Sequence, residues 1–404
     1  MSGRRPEPSQ LESTSIGDLL AAPRSPIETG DELSEAALWS THDGPIWRAR
    51  RFRGAPDFYP VYRCGDLYSH SPLPLILHKG YLRIDRRTAR RVARPGFLYA
   101  PGRRTIDCDI VRLGRPPRPT FAITSEEDYA QQLAEAMCAD IRDVEARHPG
   151  YANVVLCGGR DSLTLLLLPW SNPVIVASAP PNHALVAAFV LEHRLDMPVI
   201  RLDDEDGSLL AQEILANCCR NALEHCRWAP ALTRLSAAFD RRVIFWKGQL
   251  GSMQLTPYWA KYCHPPYALV DLVRTLCRPL RGRGERMLLR VLADSGATQR
   301  VTVRSLWHRG AMWQGAHMSM LRQLTDALVL SGYHGPAVRR VTAAVDLRRA
   351  VRRDVRPLLA RILHGRPVRF PEVNPGPPLS QHRRGASHLA PFVRELAAIG
   401  VVVR

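Results

Sequence analysis

The residue types best suited to chemistry lie in one run, Leu156-Cys-Gly-Gly-Arg-Asp-Ser-Leu163. A buried-strand pattern, Asn153-Val-Val-Leu156, leads into it, and the spacing predicts a helix from Asp161 to Leu168 that stops at Pro169. Gly158 and Gly159 let backbone N–H groups turn toward an anion with no Cβ in the way. The expected helix start adds the positive end of its dipole, and Ser162 can donate a hydroxyl. Asp161 is the odd member, because a carboxylate repels a phosphate unless a cation lies between them. That points to Mg²⁺ bridging Asp161 to phosphate oxygens. The run lacks the Lys-Ser/Thr pair of a Walker loop. The bland alternative is a plain Gly-Gly turn. Cys157 likewise has two readings, a reactive thiol at a helix start or a passive stand-in for Ser.

The surrounding pattern supplies elements to hold this run. Strands are expected at Asn153–Leu156, Pro173–Ala177, Met197–Arg201 and Arg242–Trp246, with helices at Asn182–Arg194 and Ser208–Arg227. Such alternation indicates an α/β fold with a parallel sheet and helices on both faces, whose ligands bind beyond the carboxyl ends of the strands. Before it, Thr124-Ser-Glu-Glu127 reads as a capping box. Tyr129, Leu133, Met137, Ile141 and Val144 then follow at helical spacing.

Residues 1–38 are rich in Pro, Ser, Glu and Arg and read as a disordered arm, with an address for export as the other reading. Residues 45–120 show short apolar runs, among them Leu73–Leu77 and Gly96–Tyr99, and read as a small β-rich domain. Residues 124–404 form the third segment. Within it Pro265–Ala360 reads as mostly helical, and Leu389–Val403 as a helix and a terminal strand.

The formal net charge over 404 residues is +18, and only Lys79, Lys247 and Lys261 are lysines. A nucleic-acid partner and a chain-wide bias toward arginine both account for this. The arginines are scattered, which favours bias. The densest group is Arg339, Arg340, Arg348, Arg349, Arg352, Arg353 and Arg356. No run of eighteen apolar residues occurs, so no membrane span is expected. Nine dispersed cysteines fit reduced thiols in a cytoplasmic protein. Cys218, Cys219, His225 and Cys226 lack metal-ligand spacing and read as an apolar helix face.

The loop at 156–163 resembles the Ser-Gly-Gly-x-Asp-Ser loop of the N-type ATP pyrophosphatases, with Cys157 in place of the first Ser. Gly158, Gly159, Asp161 and Ser162 match. The order of a β-rich segment, this loop and a helical region is similar to asparagine synthetases, β-lactam synthetases and lasso-peptide cyclases. The resemblance implies an adenine nucleotide α-hydrolase-like fold and ATP cleavage between the α- and β-phosphates. A carboxylate substrate would be adenylated, and an amine would then displace AMP. It implies nucleotide contacts from Leu156, Cys157, Gly158, Gly159, Arg160, Asp161, Ser162, Ser178 and Gly251. Tight packing is the other reading of Ser178.

In the family a Gly-Glu-Gly-Ala-Asp motif follows the fourth strand. Here Trp246-Lys-Gly-Gln-Leu-Gly-Ser252 stands there, placing Gln249 at the catalytic Glu and Ser252 at the second Mg²⁺ ligand. A neutral amide cannot serve as a base, and a hydroxyl is a poor metal ligand. Lys247 is placed to neutralise phosphate charge, or else is a solvated lysine at a strand end. Ser2 replaces the family's glutaminase cysteine, so the amine is expected from another source than glutamine hydrolysis. Two alternatives accompany the ligase reading: a tRNA-modifying enzyme of the same class, and a degenerate nucleotide-binding protein.

Overall fold

Short alternating runs give the strands of the N-terminal part, and continuous apolar runs give the buried strands after residue 150. The computed structural model describes residues 26–34, 46–53, 61–69, 72–86, 105–113, 120–202, 229–240, 242–249, 251–257, 327–371, 389–398 and 400–404. The N-terminal strands are β1 (Ile27–Glu28), β2 (Glu32–Ser34), β3 (Trp47–Arg48), β4 (Arg51–Arg53), β5 (Val61–Cys64) and β6 (Leu67–Ser69). Helix α1 (Pro72–Lys79), β7 (Tyr81–Leu82) and β8 (Val111–Leu113) follow. A small sheet runs in the order β1-β3-β6-β5-β8, antiparallel except where β1 lies parallel to β3.

Two expectations for this part are corrected. The arm read over 1–38 is strand-paired across 26–34, where β1 joins β3 and β2 joins β4. Leu33 anchors it, at 1% exposure. The remainder of the arm lies outside the described residues. The run at 73–77 belongs to a helix, not a strand. Pro72 and Pro74 occupy its first turn, where missing N–H groups cost nothing, and Gly80 at φ 71° ends it.

The second sheet follows helix α2 (Glu126–Arg147). Its N-cap is Ser125, one residue beyond the expected Thr124, and Ser125 Oγ accepts from the Asp128 N–H at 3.1 Å. Tyr129, Leu133, Met137, Ile141 and Val144 form the buried face of α2, each at most 1% exposed. Each such apolar side chain contributes roughly 1.5–3 kcal/mol. Then come β9 (Ala152–Leu156), α3 (Arg160–Leu165), β10 (Val174–Ser178), α4 (His183–Glu192), β11 (Val199–Arg201), α5 (Ala229–Ala238), β12 (Val243–Lys247) and α6 (Gly251–Leu255). The helix expected at Ser208–Arg227, with its cysteines, lies outside the described residues, as does Gly96–Tyr99.

Within the segment expected to be mostly helical stands another strand, β13 (Leu328–Ser331), wholly buried. Its four residues carry no period of their own, so only burial in a sheet identifies them. Helices α7 (Pro336–Ala344), α8 (Leu347–Ala350), α9 (Arg356–His364) and α10 (Leu389–Ala398) and strand β14 (Val402–Val403) complete the described elements. The sheet is five-stranded and all parallel, in the order β11-β10-β9-β12-β13. The strand carrying the glycine run is therefore central. The chain crosses one way from β9 to β10 and returns to β9's other side as β12, so a crevice opens at the carboxyl end between β9 and β12.

A polar network ties α2 to the sheet. Glu145 Oε1 accepts from Asn153 Nδ2 at 2.8 Å and from the Asn172 N–H at 2.9 Å, and Ser171 N–H also donates to this carboxylate. Asn153 Oδ1 accepts from Trp246 Nε1 at 2.8 Å, joining β9 to β12. Asp140 on α2 receives the N–H groups of Ala337 and Val338 at 2.8 and 3.0 Å, capping α7. Among the described residues no helix is long and apolar enough to cross a membrane.

Candidate functional site

Two glycine-containing turns meet at the carboxyl end of the central strands. Leu156 pairs in register with both Ala177 on β10 and Lys247 on β12, so the turns after β9 and β12 and the end of β10 share one level. Gly248 lies against the backbone of Ser162, where a Cβ would sit 2.3 Å from the Ser162 nitrogen. Gly251 lies against Asp161, where a Cβ would sit 2.6 Å from the Asp161 Cβ. Only glycine permits these approaches, so the second motif is fitted directly onto the first. The structure thus brings together Gly158, Gly159, Asp161, Ser162, Lys247, Gly251 and Ser252.

The turn is folded around its own serine. Ser162 Oγ accepts from the N–H groups of Gly158 at 3.1 Å and Gly159 at 3.3 Å, and donates to the Gly159 carbonyl at 2.8 Å. On the outer side, no atom of the described residues lies within 4 Å of where a Cβ on Gly158 would project. The glycine pair is thus closed toward β12 and open on the other face. Arg160 begins α3 and is half-buried. That helix ends at Leu165, earlier than the expected Leu168, and its six residues supply only a short dipole. Cys157 is 1% exposed and burial pushes its thiol up to about 12, which favours a passive residue over a reactive thiol.

Asp161 is hydrogen-bonded at one oxygen and faces a cation at the other, Oδ1, which is buried without a hydrogen bond among the described residues. The Ser252 N–H donates to Oδ2 at 2.8 Å. Arg356 Nη1 stands 3.3 Å from Oδ1. Burial pushes this carboxyl up to about 6, against the opposing pull of Arg356 and of the Ser252 hydrogen bond. Asp161 and Ser252, the two expected metal ligands, therefore meet each other. Mg²⁺ takes a near-octahedral shell of oxygens, whereas here one oxygen is hydrogen-bonded and the other faces a guanidinium. Among the described residues no group of three or more His, Cys, Asp or Glu side chains could hold a metal ion. For Mg²⁺ the pair offers only Oδ1, which faces the Arg356 guanidinium, together with a serine hydroxyl in place of a second carboxylate, so the donor set fits Mg²⁺ poorly.

Lys247 is 2% exposed, which removes its reading as a solvated end-of-strand lysine. Gln249 is half-buried, and its backbone carbonyl accepts from Ser331 Oγ at 3.0 Å. At the end of β10, Ser178 is 1% exposed and its hydroxyl has no hydrogen-bond partner among the described residues. Two neighbouring polar atoms, Asn182 Oδ1 and His183 Nδ1, are also buried without one. A buried polar atom without a partner costs about 1–3 kcal/mol, so three such atoms near one strand end, unpartnered among the described residues, form a candidate place for a further polar partner.

Sequence reading missed three residues that shape this site. Arg356 starts α9, held by Asp354 through its N–H at 3.0 Å and its Nε at 2.9 Å. Tyr333 donates its hydroxyl to the Asp161 carbonyl at 3.0 Å and backs the loop from β13. Ser331 ties the turn after β12 to β13. The available signal was Leu328-Val-Leu-Ser-Gly332, a buried run ending in a glycine turn, which is the same grammar as the run at 156–159.

The arginine group does not act as one surface. Arg339 and Arg356 are buried, at 7% and 8% exposure. Arg349, Arg352 and Arg353 line a cleft of about 430 Å³ with Thr124, Glu126 and Glu127, and Arg353 Nε is already paired with Glu126 at 2.6 Å. Compared with known protein families and with curated proteins, the chain matches none.

Proposed function

We propose that this chain is an ATP-dependent, adenylate-forming amide ligase with an adenine nucleotide α-hydrolase-like fold, which activates a carboxylate with release of pyrophosphate and couples it to an amine. The observation that carries the reading is the trio of unpartnered polar atoms on Ser178, Asn182 and His183, one strand over from the glycine turn. A nucleoside seated there would place its phosphates over the open face of Gly158. Rotation of the Ser162 hydroxyl would release two N–H groups toward them. Lys247, at the level of Leu156, adds positive charge at the same end of the sheet. Gln249 can hold a substrate group by hydrogen bonding but cannot take a proton from the amine. Mg²⁺ has no role assigned to Asp161 or Ser252 in this reading.

The test is a pyrophosphate readout with the purified protein, ATP and a panel of carboxylic acids and amines, with Ser178→Ala and Gly158→Ala as comparisons. Acid-dependent pyrophosphate release that both substitutions reduce is expected. Release of orthophosphate instead, or turnover indifferent to both substitutions, overturns the assignment. A second reading, nucleotide binding without turnover, is favoured by the pairing of Asp161 with Arg356. Nucleotide-induced stabilisation with no pyrophosphate would select it.

A further inference from the structure

The disagreement between the loop and its expected metal has a structural cause on the other side of the sheet's carboxyl end. We propose that Arg356 is the resident counter-cation of Asp161, so that this loop needs no divalent metal at that carboxylate. The inference concerns the same site as the proposed function, but it stands on the charges of the free protein and not on nucleotide binding.

Four observations converge. Arg356 Nη1 is 3.3 Å from Asp161 Oδ1. The guanidinium is aimed there by Asp354, whose Oδ1 accepts from Arg356 Nε at 2.9 Å and from its backbone N–H at 3.0 Å. The Nε bond orients the guanidinium, which cannot swing away without breaking it, while the backbone bond fixes Asp354 at the start of α9. The remaining Asp161 oxygen is taken by the Ser252 N–H at 2.8 Å. Gly251 presses on the Asp161 side chain, where even a Cβ would sit 2.7 Å from the carboxyl carbon, so the carboxylate has no room to turn toward another ligand on that face. The Arg356 side chain is 10% exposed and that of Asp161 23%, so the pair is partly shielded from water. A divalent ion binding through Oδ1 would have to displace the tethered guanidinium, and one binding through both oxygens would have to displace the Ser252 N–H as well. The guanidinium supplies the same neutralisation as part of the chain, through the start of α9.

The experiment uses the full chain. Mn²⁺ serves as the paramagnetic stand-in for Mg²⁺, and uptake is read from the free-ion signal. Thermal unfolding is measured in parallel with Mg²⁺ and with EDTA. The expected result is no Mn²⁺ uptake at millimolar concentration and a melting temperature indifferent to Mg²⁺ or EDTA. Arg356→Gln should lower the melting temperature by several degrees. Arg356→Lys should lower it less, and the Gln effect should shrink in an Asp161→Asn background. Stoichiometric Mn²⁺ uptake by the native chain that Asp161→Asn abolishes would overturn the proposal, and so would a Mg²⁺-dependent melting temperature that Asp161→Asn makes indifferent. Should Arg356→Gln fail to fold, the metal titrations of the native chain and of Asp161→Asn decide the matter alone. ATP added in EDTA keeps the two readings apart. A shift equal to that with Mg²⁺ supports both, and a shift that requires Mg²⁺ overturns the metal-free loop. Absence of any shift with ATP counts against nucleotide binding and leaves the metal titrations to decide the counter-cation.

Discussion

Gly248 faces Ser162 so closely that a methyl group at position 248 would meet the Ser162 backbone nitrogen at 2.3 Å. The neighbour is main chain and cannot yield as a flexible side chain would. Gly248→Ala is expected to destabilise the fold by about 1–3 kcal/mol or more, measured by chemical denaturation. Gly158→Ala should behave in the opposite way. Open space surrounds that position, so stability should change by less than about 1 kcal/mol, while nucleotide-induced stabilisation should fall because the new methyl covers the open face. Equal stability losses at the two positions would contradict this division of the loop.

The thiols give a second contrast. Cys157 is buried and its thiol is held far from ionisation, whereas Cys108 is exposed. In the native protein near pH 8, iodoacetamide should modify Cys108 and leave Cys157 untouched, with both labelled after unfolding. Mass spectrometry of the peptides reads this directly. Rapid native labelling of Cys157 would mean that the strand end opens more readily than its burial indicates.

Asp140 supplies a pH dependence. Burial pushes its carboxyl up to about 6, even though the N–H groups of Val338 and Ala337 pull the other way. The folded-state value exceeds the unfolded one, so the folded protein binds the proton more tightly. The stability tied to this proton is fully present below the unfolded value of about 4 and is lost as pH rises through about 6. The stability of the native protein relative to Asp140→Asn should therefore decline from pH 4 to pH 7. A difference that is flat or rises with pH would refute the assignment.

The triad of Glu145, Asn153 and Trp246 should act as a unit. Asn153→Ala removes the acceptor of the indole N–H and one donor to Glu145, both buried. A loss of about 2–4 kcal/mol is expected from two orphaned polar groups. In a cycle with Trp246→Phe the two losses should be less than additive. Additive losses would show that the hydrogen bond contributes little.

How far these features were legible depends on how local their causes are. The strands at 152–156 and 243–247 and the face of α2 are written in continuous or periodic apolar residues, and they form as that pattern dictates. The glycine run was legible for the same reason, since its backbone requirement is carried by the residue types themselves. What Asp161 does was not legible. Its partners are Ser252, Arg356 and, through its carbonyl, Tyr333, and these reach it through sheet order, not chain proximity. Strand β13 was hidden because four residues are too few to establish a period, and α1 because prolines suggest a break and not a first turn.

The pairing of β7 with β14 has a temporal consequence. Tyr81–Leu82 finds its neighbour in Val402–Val403, and Ile84 N–H bonds the carbonyl of Arg404. The ordering entropy of so long an intervening segment is recovered only once residues 402–404 are available. During synthesis, which proceeds from the N-terminus, the β7 segment must wait for its two-stranded pairing until residues past 400 have left the ribosome. A chain cut before Val402 would therefore leave Tyr81–Leu82 without its strand partner among the described residues, far from the missing residues in sequence.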